Sequence, residues 1–155
     1  TLPLAQRPTR FIVVDINPTR LDHLREVHQG LHTDTQFEYI LNADALTNDA
    51  LIHTLPERAV IINATGMGKD RPGSPVTDAV QFPHGGILWE LNYRGERQFL
   101  QQARTQEGKR QLIVEDGWVY FLHGWTQVIA EVFQLELTAD RMEQFDSIAS
   151  ELRPH

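Results

Sequence analysis

The first clear pattern in the chain is "RFIVVDI" (10–16), where four apolar residues, three of them β-branched, follow one another. Such a run predicts a strand covered on both faces. Asn17 and Pro18 come next, a good N-cap followed by a proline at the first helical position. Leu21, Leu24, Val27 and Leu31 then recur at helical spacing and predict a helix reaching Gly30. "QFEYILNA" (36–43) alternates and predicts a second strand, and "NDALIHTL" (48–55), opened by Asn48 or Asp49, a short helix. "AVIINA" (59–64) and "GGILWEL" (85–91) predict two further buried strands. Residues 95–107 predict a polar-faced helix with Phe99, Leu100 and Ala103 inward, ended by Gly108. "QLIVED" (111–116) predicts a last short strand.

Helical spacing then takes over. Trp118, Phe121, Leu122, Trp125, Ile129 and Val132 form one stripe, with the tryptophans expected in the core or a cleft wall. Met142, Phe145, Ile148 and Leu152 form another, on a closing helix expected to leave an apolar stripe exposed. Alternating buried strands and helices predict an α/β fold built on a mostly parallel, doubly wound sheet.

Composition narrows the function classes. A chain of 155 residues, 41% of them hydrophobic, fits one ordinary domain with a real core. A formal charge of −7 argues against nucleic acid or an acidic membrane as partner, while leaving room for a phosphate-bearing small ligand. The absence of cysteine removes disulfide and thiolate chemistry and suits a reducing cytoplasm. No apolar run is long enough to span a bilayer. The seven histidines lack metal-site clustering, so no metal is expected.

In open parallel sheets, ligands gather at the carboxyl ends of the strands. Three predicted strand ends carry polar residues: Asp15, Asn63-Ala64-Thr65-Gly66, and Glu90-Leu91-Asn92-Tyr93. Each alone reads first as an ordinary cap or turn. Together, at the place the fold predicts, they point to a cofactor cleft. An acid such as Asp15 at a strand end accepts hydrogen bonds from ribose hydroxyls and repels a 2′-phosphate, favouring NAD. As a structural residue it would cap the helix opening at Pro18, and Arg20 just beyond keeps NADP as the alternative. The loop from Met67 to Val76 reads as the rim of the nucleotide site. Lys69 and Arg71 are either part of a solvated turn there or within reach of a phosphate.

Residues 10–135 resemble the cofactor-binding half of the shikimate/quinate dehydrogenase family. "DINPTR" (15–20) stands where the family has an Asn-Arg-Thr-x-x-Arg segment, and "INATGMG" (62–68) with "RPGSPV" is similar to its Asn-Ala-Thr-x-x-Gly loop. "YRGERQFLQQA" (93–103) looks like the segment after the next strand, and "EDGWVYFLHGWTQVIAEVF" (115–133) like the Asp-Gly-x-x-Met-Leu-x-x-Gln helix. The resemblance implies a truncated Rossmann-like fold, cytoplasmic, with a place in aromatic amino acid biosynthesis. It also implies hydride transfer between NAD, or NADP, and a cyclic hydroxy or keto acid such as shikimate or 3-dehydroshikimate. Asp15, Asn17 and Arg20 match the adenosine-ribose loop; Asn63, Ala64 and Thr65 match the loop beneath the cofactor. Leu91 and Gly117 match positions whose backbone lies by the nicotinamide.

The substrate positions depart from the family. Asn92 falls where a tyrosine is usual, with Tyr93 one step on, and Gly124 falls where a glutamine is usual, beside His123. His123 either replaces that glutamine or packs between aromatics. A paralogue acting on a different hydroxy acid fits these departures. The family's glycine loop and catalytic Lys-Asp pair have no match here and are expected upstream, since "TLPLAQRP" (1–8) looks like the last turns of the helix after that loop. The expected organisation is therefore a partial NAD(P)-binding domain over 1–116 and closing helices over 117–155, catalytically incomplete alone. The oligomeric state stays open, a homodimer being one arrangement. Two rival readings stand beside this one. The first is a degenerate nucleotide-binding module without chemistry. The second is a relative of methylene-tetrahydrofolate dehydrogenase or glutamyl-tRNA reductase.

Overall fold

The computed structural model describes residues 8–153, so most of the expected helix end at 1–8 lies outside the described residues. The chain divides between Asn48 and Asp49 into two compact units.

In the first unit, β1 (Arg10–Asp15) and β2 (Gln36–Leu41) pair in parallel, in register from Arg10–Gln36 to Asp15–Leu41. The connection is α1 (Pro18–Gln29), with Asn17 at its N-cap accepting the Thr19 N–H at 2.9 Å and Gly30 at its end. An aromatic cluster ties this helix to the sheet. The His28 ring stacks on Phe37 at 4.2 Å, and its Nδ1 lies 2.7 Å from the Tyr39 hydroxyl.

The next helix, α2 (Ala45–His53), begins at Ala45, earlier than the sequence pattern suggested. Asp44 is the cap, its carboxylate accepting the Thr47 N–H at 2.8 Å and the Thr47 hydroxyl at 2.7 Å. Asp49, a sequence candidate for that role, instead accepts the N–H and hydroxyl of Thr77.

The second unit holds β3 (Val60–Asn63), β4 (Ile87–Glu90), α3 (Gln98–Arg110) and β5 (Ile113–Glu115), followed by α4 (Trp118–Phe133) and α5 (Ala139–Glu151). The three strands pair in parallel in the order β3-β4-β5. The molecule is thus mixed α/β, with five helices and two small parallel sheets among the described residues.

The long β3–β4 connection has no helix, yet it is well anchored. Val76, Val80 and Phe82 enter the core beside Ile52, Leu88, Phe99, Ala103 and Leu112. The polar side chains of α3 satisfy this segment's backbone: Gln106 donates to Val80 O at 2.8 Å and accepts from Phe82 N–H at 3.2 Å, and Arg110 donates to Phe82 O at 2.9 Å. That is why α3 runs past Gly108 to Arg110 instead of stopping there. Buried backbone groups need partners, and the last turn supplies one.

The uninterrupted apolar strands suggested cover on both faces. The layer of α3 and residues 76–82 packs against the face carrying Ile61, Leu88 and Val114, while Val60, Ile62 and Ile113 remain exposed. On α4 the buried residues are Trp118, Thr126 and Ala130, whereas Trp125, Ile129 and Val132 of the expected stripe are exposed. On α5, Phe145 and Ile148 are exposed and Ala149 is buried, and Leu152 at its C-cap is exposed. Among the described residues, no helix is long and apolar enough to cross a membrane.

Candidate functional site

Polar side chains gather at the carboxyl ends of the strands in each unit. In the first unit, Asp15 ends β1 with its side chain partly buried, and its Oδ1 accepts the Asn17 N–H at 2.8 Å. Arg20 Nη1 lies 3.9 Å from Asp15 Oδ2 and is mostly exposed. The Asp15 carbonyl accepts from Asn42 N–H at 3.1 Å, which fixes the turn after β2 beside it. Ile16, Leu41, Asn42, Ala43 and Asp44 line an open cavity of about 460 Å³ there. Three of these lining residues are apolar and two, Asn42 and Asp44, are polar, a mixture suited to a ligand with both a flat apolar face and hydroxyl groups.

In the second unit, Asn63 and Glu90 end β3 and β4 directly opposite each other. Both are buried, and Glu90 is 0% exposed. Asn63 Nδ2 donates to Glu90 Oε2 at 2.7 Å, while Glu90 Oε1 accepts the Asn92 N–H at 2.9 Å. Asn63 Oδ1 accepts the N–H and hydroxyl of Thr65 at 3.1 and 2.7 Å, and Thr65 Oγ1 accepts the Met67 N–H at 3.2 Å. Asn92 Nδ2 donates to the Met67 carbonyl at 2.9 Å. The bonds close a circuit through Glu90, Asn63, Thr65, Met67 and Asn92. Burial pushes the Glu90 carboxyl above its usual range, against the opposing pull of the Asn92 and Asn63 donors and of Arg97.

The following loop is locked to the β4–α3 connection. Gly68 N–H donates to Arg71 O at 2.6 Å, and Arg97 N–H donates to Gly68 O at 3.0 Å. Gly95, at φ +85°, approaches Gly68 so closely that a side chain there would overlap the Gly68 carbonyl. Asp116, after β5, accepts the Trp118 N–H at 3.0 Å and pairs with Arg97 at 3.2 Å and with Arg153. One carboxylate thus joins the start of α3, the start of α4 and the end of α5.

The residues singled out from the sequence fall into three groups. Asn63, Thr65 and Asn92 meet in the circuit, where their polar atoms are engaged with one another. Leu91 and Gly117 meet through the main chain, with Gly117 N–H donating to Asn92 O at 3.3 Å. A Cβ at Gly117 would overlap the Leu91 carbonyl, so that close neighbour accounts for the glycine. Tyr93 stacks on Phe121 at 3.9 Å, with Lys69 Nζ 5.4 Å from its ring. Ala64 is exposed. His123 is half exposed and its Nε2 lies 3.5 Å from Asp146 Oδ1 on α5. Gly124 is exposed, with open space where a side chain would stand.

Glu90 and Asp116 organise this region; the sequence marked Glu90 only as part of a polar strand end and Asp116 only within the Asp-Gly motif, with no role of its own for either. The signal for Glu90 was an acid inside an apolar run, two residues from buried Leu88 and therefore on the same face. Because its polar groups are bonded to one another, the cluster shapes a backbone surface instead of offering a free acid or base. No family model matches the chain, and no curated protein or solved structure matches it either.

Proposed function

We propose that the chain is the cofactor-binding portion of an NAD(P)-dependent oxidoreductase of the shikimate/quinate dehydrogenase kind, with a truncated Rossmann-like fold. The observation that carries this reading is the open cavity at the carboxyl ends of two parallel strands, lined by Ile16, which follows Asp15, and by Asn42, whose N–H bonds the Asp15 carbonyl. Ile16, Leu41 and Ala43 offer apolar walls for an adenine, and the Asp15 carboxylate accepts from a ribose hydroxyl. Asp15 favours NAD; Arg20, nearby and exposed, keeps NADP as the alternative.

The resemblance to the family supports the rest. Asn63, Ala64 and Thr65 form the loop beneath the cofactor and Leu91 and Gly117 bring main chain to the nicotinamide, while Asn92, at the family's tyrosine position, and Tyr93, one step on, are the candidates for facing the acid substrate. The bound dinucleotide supplies the hydride exchanged with a cyclic hydroxy or keto acid. The Lys-Asp pair that handles the proton belongs, on this reading, to a substrate domain upstream.

A second reading is a nucleotide-binding module without chemistry. The mutual bonding of Asn63, Thr65, Glu90 and Asn92 supports it, because those groups are occupied in holding the fold. Calorimetric titration with NAD, NADP and ADP-ribose tests the shared part. Saturable ADP-ribose binding is expected, weakened about tenfold, or about 1.4 kcal/mol, by Asp15→Ala. Failure of all three to bind, or equal binding by the variant, overturns the assignment. Oxidation of NADH by 3-dehydroshikimate in the full-length protein then separates the dehydrogenase from the silent module.

A further inference from the structure

We propose that Glu90 is a positioning residue whose ionised carboxylate latches the Asn63–Met67 turn to the end of β4, and that protonation releases the turn. The argument rests on which groups face the carboxylate. Oε2 receives an N–H from Asn63 and Oε1 receives the N–H of Asn92. Both groups donate, and the Asn92 side chain, which also favours the ionised form, does the same, so a protonated Glu90 would point its new O–H at a group unable to accept it. A buried donor without a partner costs more than a hydrogen bond contributes.

Rotating the Asn63 amide does not solve this. It would present Oδ1 to a protonated Glu90, but place Nδ2 against the Thr65 N–H, which also only donates. The conflict would move one step round the circuit, to the turn itself. The other charged group acting on Glu90 is Arg97, at the start of α3, and Arg97 is paired with Asp116 from the end of β5. Arg97 therefore favours the ionised form without taking the place of either neutral donor. Release of the turn removes donors that pull the Glu90 value down and leaves the burial that pushes it up, so the released turn binds the proton more tightly than the latched one.

The latch rests on this circuit alone; only its consequence for a cofactor rests on the proposed function. The test therefore uses no nucleotide. Amide exchange is followed by NMR in the full chain, as protection factors corrected for intrinsic rates, at Thr65, Met67 and Asn92 from about pH 8 to about pH 5. Protection at these three amides is expected to fall at least about tenfold as pH drops, while core amides such as Leu88 keep theirs. Glu90→Gln places a permanent N–H where the proton would sit, and is expected to show the low protection already at neutral pH.

The double variant Asn63→Asp with Glu90→Gln reverses the polarity of that bond and is expected to restore protection. Unchanged protection in Glu90→Gln, or a double variant no better than the single, overturns the latch. If the single variant yields no folded protein, the wild-type pH series decides: pH-independent protection at the three amides overturns the proposal.

Discussion

Gly117 and Leu91 touch backbone to backbone: a side chain on Gly117 would occupy the position of the Leu91 carbonyl oxygen. Neither partner is a flexible side-chain end, so nothing nearby can give way cheaply. Gly117→Ala is expected to destabilise the protein by about 3 kcal/mol, the upper end of overpacking costs. Thermal unfolding checks this, with Gly124→Ala as the contrast. Gly124 lies inside α4 with open space around it, so alanine there is expected to stabilise by about 0.5–1 kcal/mol. Equal effects of the two substitutions would refute the close-packing account.

Asp116 holds three elements through one buried carboxylate. Its removal leaves Arg97 without its ion partner and uncaps α4 at Trp118. Asp116→Ala is expected to cost about 2–3 kcal/mol, discounted because Arg153 is half exposed and recovers water. Urea denaturation measures the loss. Since α5 is tied here only through Arg153, Arg153→Ala should cost well under half as much.

Glu90 makes stability depend on pH in a direction opposite to most carboxylates. Its folded value is raised above the ordinary 4.5, so the folded state holds a proton that the unfolded state has lost. Its contribution is fully present below the unfolded value, then falls as pH rises through the folded one and levels off. Urea midpoints of wild type minus those of Glu90→Gln should therefore decline with rising pH over that window. A flat difference would show that the buried acid keeps an ordinary affinity for protons, and a rising one that the two donors outweigh burial.

The features legible in the sequence were those settled within a few residues. Asn17 before Pro18 and Gly30 after Gln29 bound α1 because caps are local chemistry. The start of α2 was harder. Asp44, Asn48 and Asp49 are all competent caps, and Asp49 is withdrawn from that role by Thr77, which lies 28 residues on. Gly108 looked like a helix stop, but the turn beyond it is held by the contact of Arg110 with Phe82. The polar strand ends were visible as a group, whereas the bond between Asn63 and Glu90 spans 27 residues and left no periodic trace. Exposure of Val60, Ile62 and Ile113 was equally hidden, since an apolar strand looks the same with one covered face or two.

The circuit through Asn63, Thr65, Glu90 and Asn92 has a consequence for how such a chain can drift over generations. Each member meets its neighbour with a fixed polarity, so a change at one position is expected to require a matching change at another. An acid lost at 90 is expected to be tolerated where an acid has arisen at 63, and the two changes should travel together in any lineage that carries them.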